Sequence, residues 1–109
     1  MSQPLRRAIT NGLLAALPIR ERRHLLARCE RVSLRLAEVL GEPGKRIHYV
    51  YFPTGSFISL VTPIDGHAKL EVGLVGDEGM LGVSLVLGVD TPSLHAFVQG
   101  AGTAWRMDS

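Results

Sequence analysis

Few residues of this 109-residue chain carry reactive side chains, and they are scattered. Beyond His24, the histidines are His48, His67 and His95, and Glu71 adds a carboxylate on a strand-like stretch. Imidazoles and a carboxylate converging on one ion would make a metal-dependent site. The sequence has no His-x-His pair, however, and His48-Tyr49-Val50 offers a single ligand. Cys29 is the only cysteine. It excludes an intramolecular disulfide and a four-cysteine iron–sulfur cluster, and its expected role is that of a small core hydrophobe. None of His48, His67 or His95 is singled out as a haem ligand by its neighbours.

Charge is the other concentrated feature. Arginines 6, 7, 20, 22, 23, 28, 31 and 35 against Glu21 and Glu30 give residues 1–35 a charge of +6, while the remainder carries −4. Such a stretch suits a phosphate backbone or an anionic surface, or forms the solvated face of amphipathic helices. No aromatic residue interleaves these arginines, as binding to single strands would favour.

The elements that must position these groups change type along the chain. Leu5, Ile9, Leu13 and Leu17 recur every four residues and predict a helix from Pro4 to Leu17, ended by Pro18. A second helix, about Pro18 to Arg28, buries Leu25, Leu26 and Cys29. From Val32 the period becomes two, and strand-length apolar runs follow at 47–52, 56–62, 67–75, 94–99 and 103–107, separated by glycine and proline turns. Residues 80–87 suit a short helix within this strand region. The fold class is mainly β with flanking helices, a jelly-roll β-roll in one structural domain: 1–30 helical, 31–109 the roll. With 46% hydrophobic residues the chain can bury a core without staples. No stretch approaches the roughly 20 apolar residues of a membrane span, and no signal peptide is recognisable, so a cytoplasmic setting is expected.

From about Leu13 to Met107 the chain resembles the N-terminal sensor domain of the Crp/Fnr regulators, the bacterial branch of the cyclic-nucleotide-binding domains. The resemblance rests on 39–44 (VLGEPG), 47–61 (IHYVYFPTGSFISLV), 66–82 (GHAKLEVGLVGDEGMLG) and 96–106 (AFVQGAGTAWR). It implies a double-stranded β-helix in which Gly44 and Gly55 make tight reversals that a Cβ would obstruct, and Tyr49, Tyr51, Phe57 and Ile58 fill the interior. It also implies a ligand cassette over Gly76–Leu87, whose backbone N–H groups receive the cyclic phosphate at the start of a short helix. Its residues here are Gly76, Glu78, Gly79, Met80, Leu81 and Gly82, joined by Leu94, His95 and Ala96 before the next strand.

Two positions depart from the nucleotide-binding pattern. Met80 stands where the resemblance expects a ribose-binding glutamate after Gly79, and Leu94 and His95 stand where it expects an arginine and a small hydroxyl residue. Neither can replace a bidentate guanidinium–phosphate pair. Asp77 and Glu78 add negative charge where a phosphate would sit, or cap the short helix. The expected role is an effector-sensing domain taking an unidentified small molecule, or a ligand-independent scaffold, with no cofactor and no catalysis. Contacts to DNA and RNA polymerase would run through a C-terminal domain, the full-length form would be a homodimer, and no membrane is involved. The alternatives are a cupin-like metal enzyme using His48, His67, Glu71 and His95, and a non-specific nucleic-acid binder using the N-terminal arginines.

Overall fold

A computed structural model describes residues 11–46, 48–63, 69–82 and 94–108. Helices α1 (Gly12–Ala16) and α2 (Ile19–Ala27) precede strands β1 (Cys29–Leu34), β2 (Val39–Gly41), β3 (Tyr49–Thr54), β4 (Phe57–Pro63), β5 (Lys69–Val75), β6 (His95–Gly100) and β7 (Gly102–Asp108). The strands form two sheets, ordered β1-β7-β3 and β2-β6-β4-β5, with every pair antiparallel. The first described strand thus pairs with the last, Cys29 opposite Met107 and Leu34 opposite Gly102.

Side-chain alternation along β3 makes its sheet the middle layer of three. Tyr49 and Tyr51 join Leu34, Ile58, Ala96, Val98 and Ala104 in the core between the sheets. Val50 and Phe52 join Leu14, Leu17, Leu25 and Leu26 in a second core beneath the helices. A strand buried on both faces reads as an unbroken apolar run, which is why 47–52 carries no polar alternation. Strand β7 behaves likewise, with Ala104 in the first core and Trp105 and Met107 packed on the second.

Several sequence expectations are corrected. The helix expected over Pro4–Leu17 is interrupted at Asn11, which has extended backbone (φ −91°, ψ 127°) and is the N-cap of the first described helix, Gly12–Ala16; residues 1–10 lie outside the described residues. Cys29 does not close α2 but opens β1, after Arg28 ends the helix. Burial pushes its thiol pKa up, opposed by the Arg28 charge. Phe57 does not fill the roll. It is 55% exposed, its ring lying against Gly76 and Gly100, while Ile58 takes the interior. Trp105 packs on the helix-side core and carries the Arg31 guanidinium 5.6 Å from its ring. Gly44 and Gly55 are required by backbone conformation (φ +80° and +92°); an added Cβ would meet nothing within 4 Å at either position.

The turn from β1 to β2 holds the one described non-glycine residue at positive φ, Ala37 (69°). Its N–H donates to Val98 O at 2.8 Å, Val98 N–H donates to Glu38 O at 2.8 Å, and Glu38 Oε1 accepts from Arg35 N–H at 2.9 Å. These bonds force the left-handed geometry on a residue whose Cβ opposes it by about 1–2 kcal/mol. Glycine removes that strain and gives part of it back as chain entropy. Ala37→Gly is therefore expected to stabilise the fold by about 0.5–1 kcal/mol in urea denaturation.

Candidate functional site

The segment that follows β5 turns sharply. Gly79 N–H donates to Gly76 O at 3.1 Å, closing a four-residue turn around Asp77 and Glu78. Two residues on, Leu81 N–H donates to Tyr51 O at 2.9 Å and Tyr51 N–H to Leu81 O at 3.0 Å, adding a bridge to the free edge of β3. Met80–Gly82 is therefore extended rather than the start of a helix. The remainder of the helix expected at 80–87 lies outside the described residues. Gly82 follows at φ +106°, where a Cβ would stand 3.3 Å from Val50, so only glycine passes beneath β3 unstrained.

One side chain ties this segment to the helices and to β3. Asn11 is fully buried. Its Oδ1 accepts from Leu13 N–H at 3.0 Å and Leu14 N–H at 3.2 Å, capping α1. Its Nδ2 donates to Pro53 O at 2.9 Å and Gly79 O at 2.8 Å. Gly12 N–H donates to Asp77 O at 2.6 Å beside it. The Asp77 carboxylate turns the other way and accepts from the Gly55 N–H, capping the β3–β4 corner rather than a helix. The sequence signal that locates Asn11 is an asparagine at the start of a helical pattern.

A depression of about 430 Å³ opens over this turn, lined by Leu74, Val75, Gly76, Asp77, Glu78, Gly79 and Met80. Two carboxylates and no cation border it. The Met80 side chain also lines a separate apolar groove with Leu13, Leu14, Leu17, Leu25, Val50, Phe52 and Met107.

No protein-family model and no curated protein matches the chain. Solved structures do. The sensor domain of the transcriptional regulator DNR from Pseudomonas aeruginosa superposes with a TM-score of 0.74 at 12% identity, over 94% of this chain and 69% of that one. The cAMP-bound regulatory domain of Toxoplasma gondii PKA gives 0.79 at 13% identity, over 99% and 43%. The regulatory subunit of a cAMP-independent protein kinase A from Trypanosoma brucei gives 0.78 at 14% identity, over 95% and 40%. The fold is that of a cyclic-nucleotide-binding β-roll.

Within this β-roll the nine sequence-predicted site residues separate. Gly76, Glu78, Gly79 and Met80 line the depression; Leu81 and Ala96 pack in or on the inter-sheet core. Leu94 precedes β6 and His95 opens it, opposite Val61, while Gly82 passes beneath β3 against Val50, and none of the three borders the depression. Glu42 lies close enough to His95 to feel it. Its carboxyl is held below the usual range mainly by a hydrogen bond and charge from Lys45, 2.9 Å away, with a smaller lowering from His95.

The three-stranded sheet carries a second, partly exposed polar cluster that the sequence did not mark. Arg106 hydrogen-bonds Glu30, Nε to Oε1 at 3.0 Å, and its guanidinium lies 4.1 Å from the centre of the Tyr49 ring. The hydrogen bond to Glu30 raises the Arg106 pKa, and burial raises that of Tyr51 against the opposing pull of Arg106. These residues share one row across three strands, Glu30 opposite Arg106 opposite Tyr51.

Of the N-terminal arginines, Arg22 is spent internally, its guanidinium donating to Ala15 O at 3.1 Å and Leu17 O at 3.2 Å, while Arg20, Arg23, Arg28, Arg31 and Arg35 are exposed. Among the described residues no cluster of three His, Cys, Asp or Glu could hold a metal, and His67 lies outside them. No described helix is long and apolar enough to cross a membrane.

Asn11→Asp keeps the acceptor that caps α1 but turns the donor facing Pro53 O and Gly79 O into a carboxylate. The expected loss is about 2–4 kcal/mol at neutral pH in urea denaturation, since a buried charge then faces two carbonyl oxygens. Burial raises the introduced carboxyl's folded pKa above its unfolded one. Stability is therefore partly recovered as pH falls through the folded pKa, and a variant equally unstable at pH 5 and pH 8 would contradict the assigned bonds.

Proposed function

We propose that this β-roll is the effector-sensing part of a Crp/Fnr-type transcription regulator, and that the cassette Gly76–Gly82 serves an effector other than a cyclic nucleotide. The observation that carries the second half is where the backbone donors go. Phosphate capture at such a cassette depends on free N–H groups. Here Gly79 N–H is bonded to Gly76 O and Leu81 N–H to Tyr51 O, and the intervening Met80 side chain lies against the helix-side core. Glu78 and no cation line the depression above them, and a carboxylate repels a phosphate at close range.

The regulatory half is supported by the likeness to the Pseudomonas aeruginosa sensor domain, and the Trypanosoma brucei neighbour is described as cAMP-independent. A β-roll with its phosphate donors committed can still report a neutral or cationic small molecule, because the turn it would press on is bonded to α1 through Asn11 and Gly12. In full length such a domain would act on DNA through a further module, and the effector would be read as a change at the helices.

The test is calorimetric titration and thermal denaturation with cAMP, cGMP and a panel of uncharged and cationic metabolites. Cyclic AMP at about 1 mM is expected to stabilise the fold by less than about 0.4 kcal/mol, meaning a Kd weaker than the concentration used. Stabilisation of about 2 kcal/mol or more by cyclic AMP would overturn the reading.

A further inference from the structure

Asn11 is the only asparagine of the chain, and glycine follows it. That pair carries a chemistry of its own. A deprotonated backbone nitrogen can attack the preceding carboxamide carbon, and glycine hinders the attack least, since it has no side chain and leaves the backbone free to rotate. A bond from Gly12 N to Asn11 Cγ closes a five-membered imide while the Cγ–Nδ2 bond breaks and ammonia leaves. Water then opens the imide. Attack at Cγ restores the main chain as aspartate, and attack at the main-chain carbonyl leaves the chain running through Cγ as isoaspartate.

Each reacting group is restrained in the folded chain. Gly12 N–H is held by Asp77 O at 2.6 Å. The leaving nitrogen, Nδ2, donates to Pro53 O and Gly79 O, and Oδ1 accepts from Leu13 and Leu14 N–H, so the carboxamide plane is fixed at both ends. At ψ 127° the Gly12 nitrogen is rotated away from Cβ. Ring closure needs the two eclipsed, at a negative ψ between the allowed regions. Asn11 is also fully buried, which keeps water from it.

We propose that Asn11-Gly12 is a self-modification site that the fold holds shut, converting to aspartate and isoaspartate only when the joint between α1 and the cassette turn opens. The restraints all belong to that joint, so its opening frees the nucleophile, the leaving group and the backbone angle together. Conversion then keeps the joint from re-forming. Aspartate lacks the donor for Pro53 O and Gly79 O, and isoaspartate adds a methylene to the main chain ahead of the N–H groups that Oδ1 caps. Where opening and closing are fast beside the chemistry, the rate follows the population of the open form. The chain is thereby marked irreversibly in proportion to the time its joint has stood open.

Incubation of the full chain at pH 8, followed by mass spectrometry of its tryptic peptide Ala8–Arg20, measures the conversion, and fragmentation separates isoaspartate from aspartate. The folded chain is expected to convert at least about tenfold more slowly than the chain in denaturing urea, and its rate should climb with urea below the unfolding transition. Leu14→Ala loosens the helix-side core under α1 and is expected to raise the folded rate at least about tenfold while leaving the rate in urea unchanged. Gly12→Ala, whose methyl would come no closer than 3.4 Å to Glu78, is expected to slow conversion in urea severalfold. A folded chain that converts as fast as the unfolded one overturns the proposal, as does an Asn11 that survives in urea. So does a folded rate indifferent to urea below the transition, a measurement on the parent chain that decides the matter even where Leu14→Ala does not fold.

Discussion

The buried amide of Asn11 is the point on which three parts of this molecule depend. Its oxygen starts α1, and its nitrogen satisfies two carbonyls, Pro53 O at the end of β3 and Gly79 O in the cassette turn. Each of these groups would be costly to leave unpaired in the interior, and no other described side chain reaches them. Because one planar group serves all of them, α1, β3 and the cassette turn are held at fixed distances. The helix-side core then packs around that frame, Leu14 directly above Val50 and Phe52.

The frame also explains the chemistry of the candidate site. The described part of the cassette, its turn closed by Gly76 and Gly79, anchored from below by Asn11 and bridged to Tyr51 through Leu81, uses the Gly79 and Leu81 N–H groups to hold its shape. The Asp77 carboxylate is likewise committed to the Gly55 corner. What remains facing outward is the Glu78 side chain and a rim of Leu74, Val75 and Met80.

The change of period after Glu30 and the jelly-roll class were legible because apolar runs and glycine corners are local signals. So were β4 and β6, whose starts fall within one residue of the expectation. β2 was not, since three residues carry no period. Phe57 was misplaced because alternation fixes which residues share a face but not which face is inside, and its neighbour Ile58 took the interior. The helix expected from Pro4 failed at Asn11 because spacing of four counts apolar side chains and ignores competition from a polar one. The cassette motif located the turn, yet whether the Leu81 N–H was free could only be read from its partner, Tyr51 O, 30 residues away.

The pairing of β1 with β7 bears on how the molecule is made. The middle sheet cannot assemble until the last strand is available, because β7 lies between β1 and β3 and supplies the edge each of them needs. During synthesis the helices and the early strands therefore wait with apolar surface uncovered, and the β4–β5 hairpin, with its local contacts, is the natural first structure. Folding of this chain is governed by closure of its longest loop, a step that an N-terminal fragment stopping short of Gly102 cannot take.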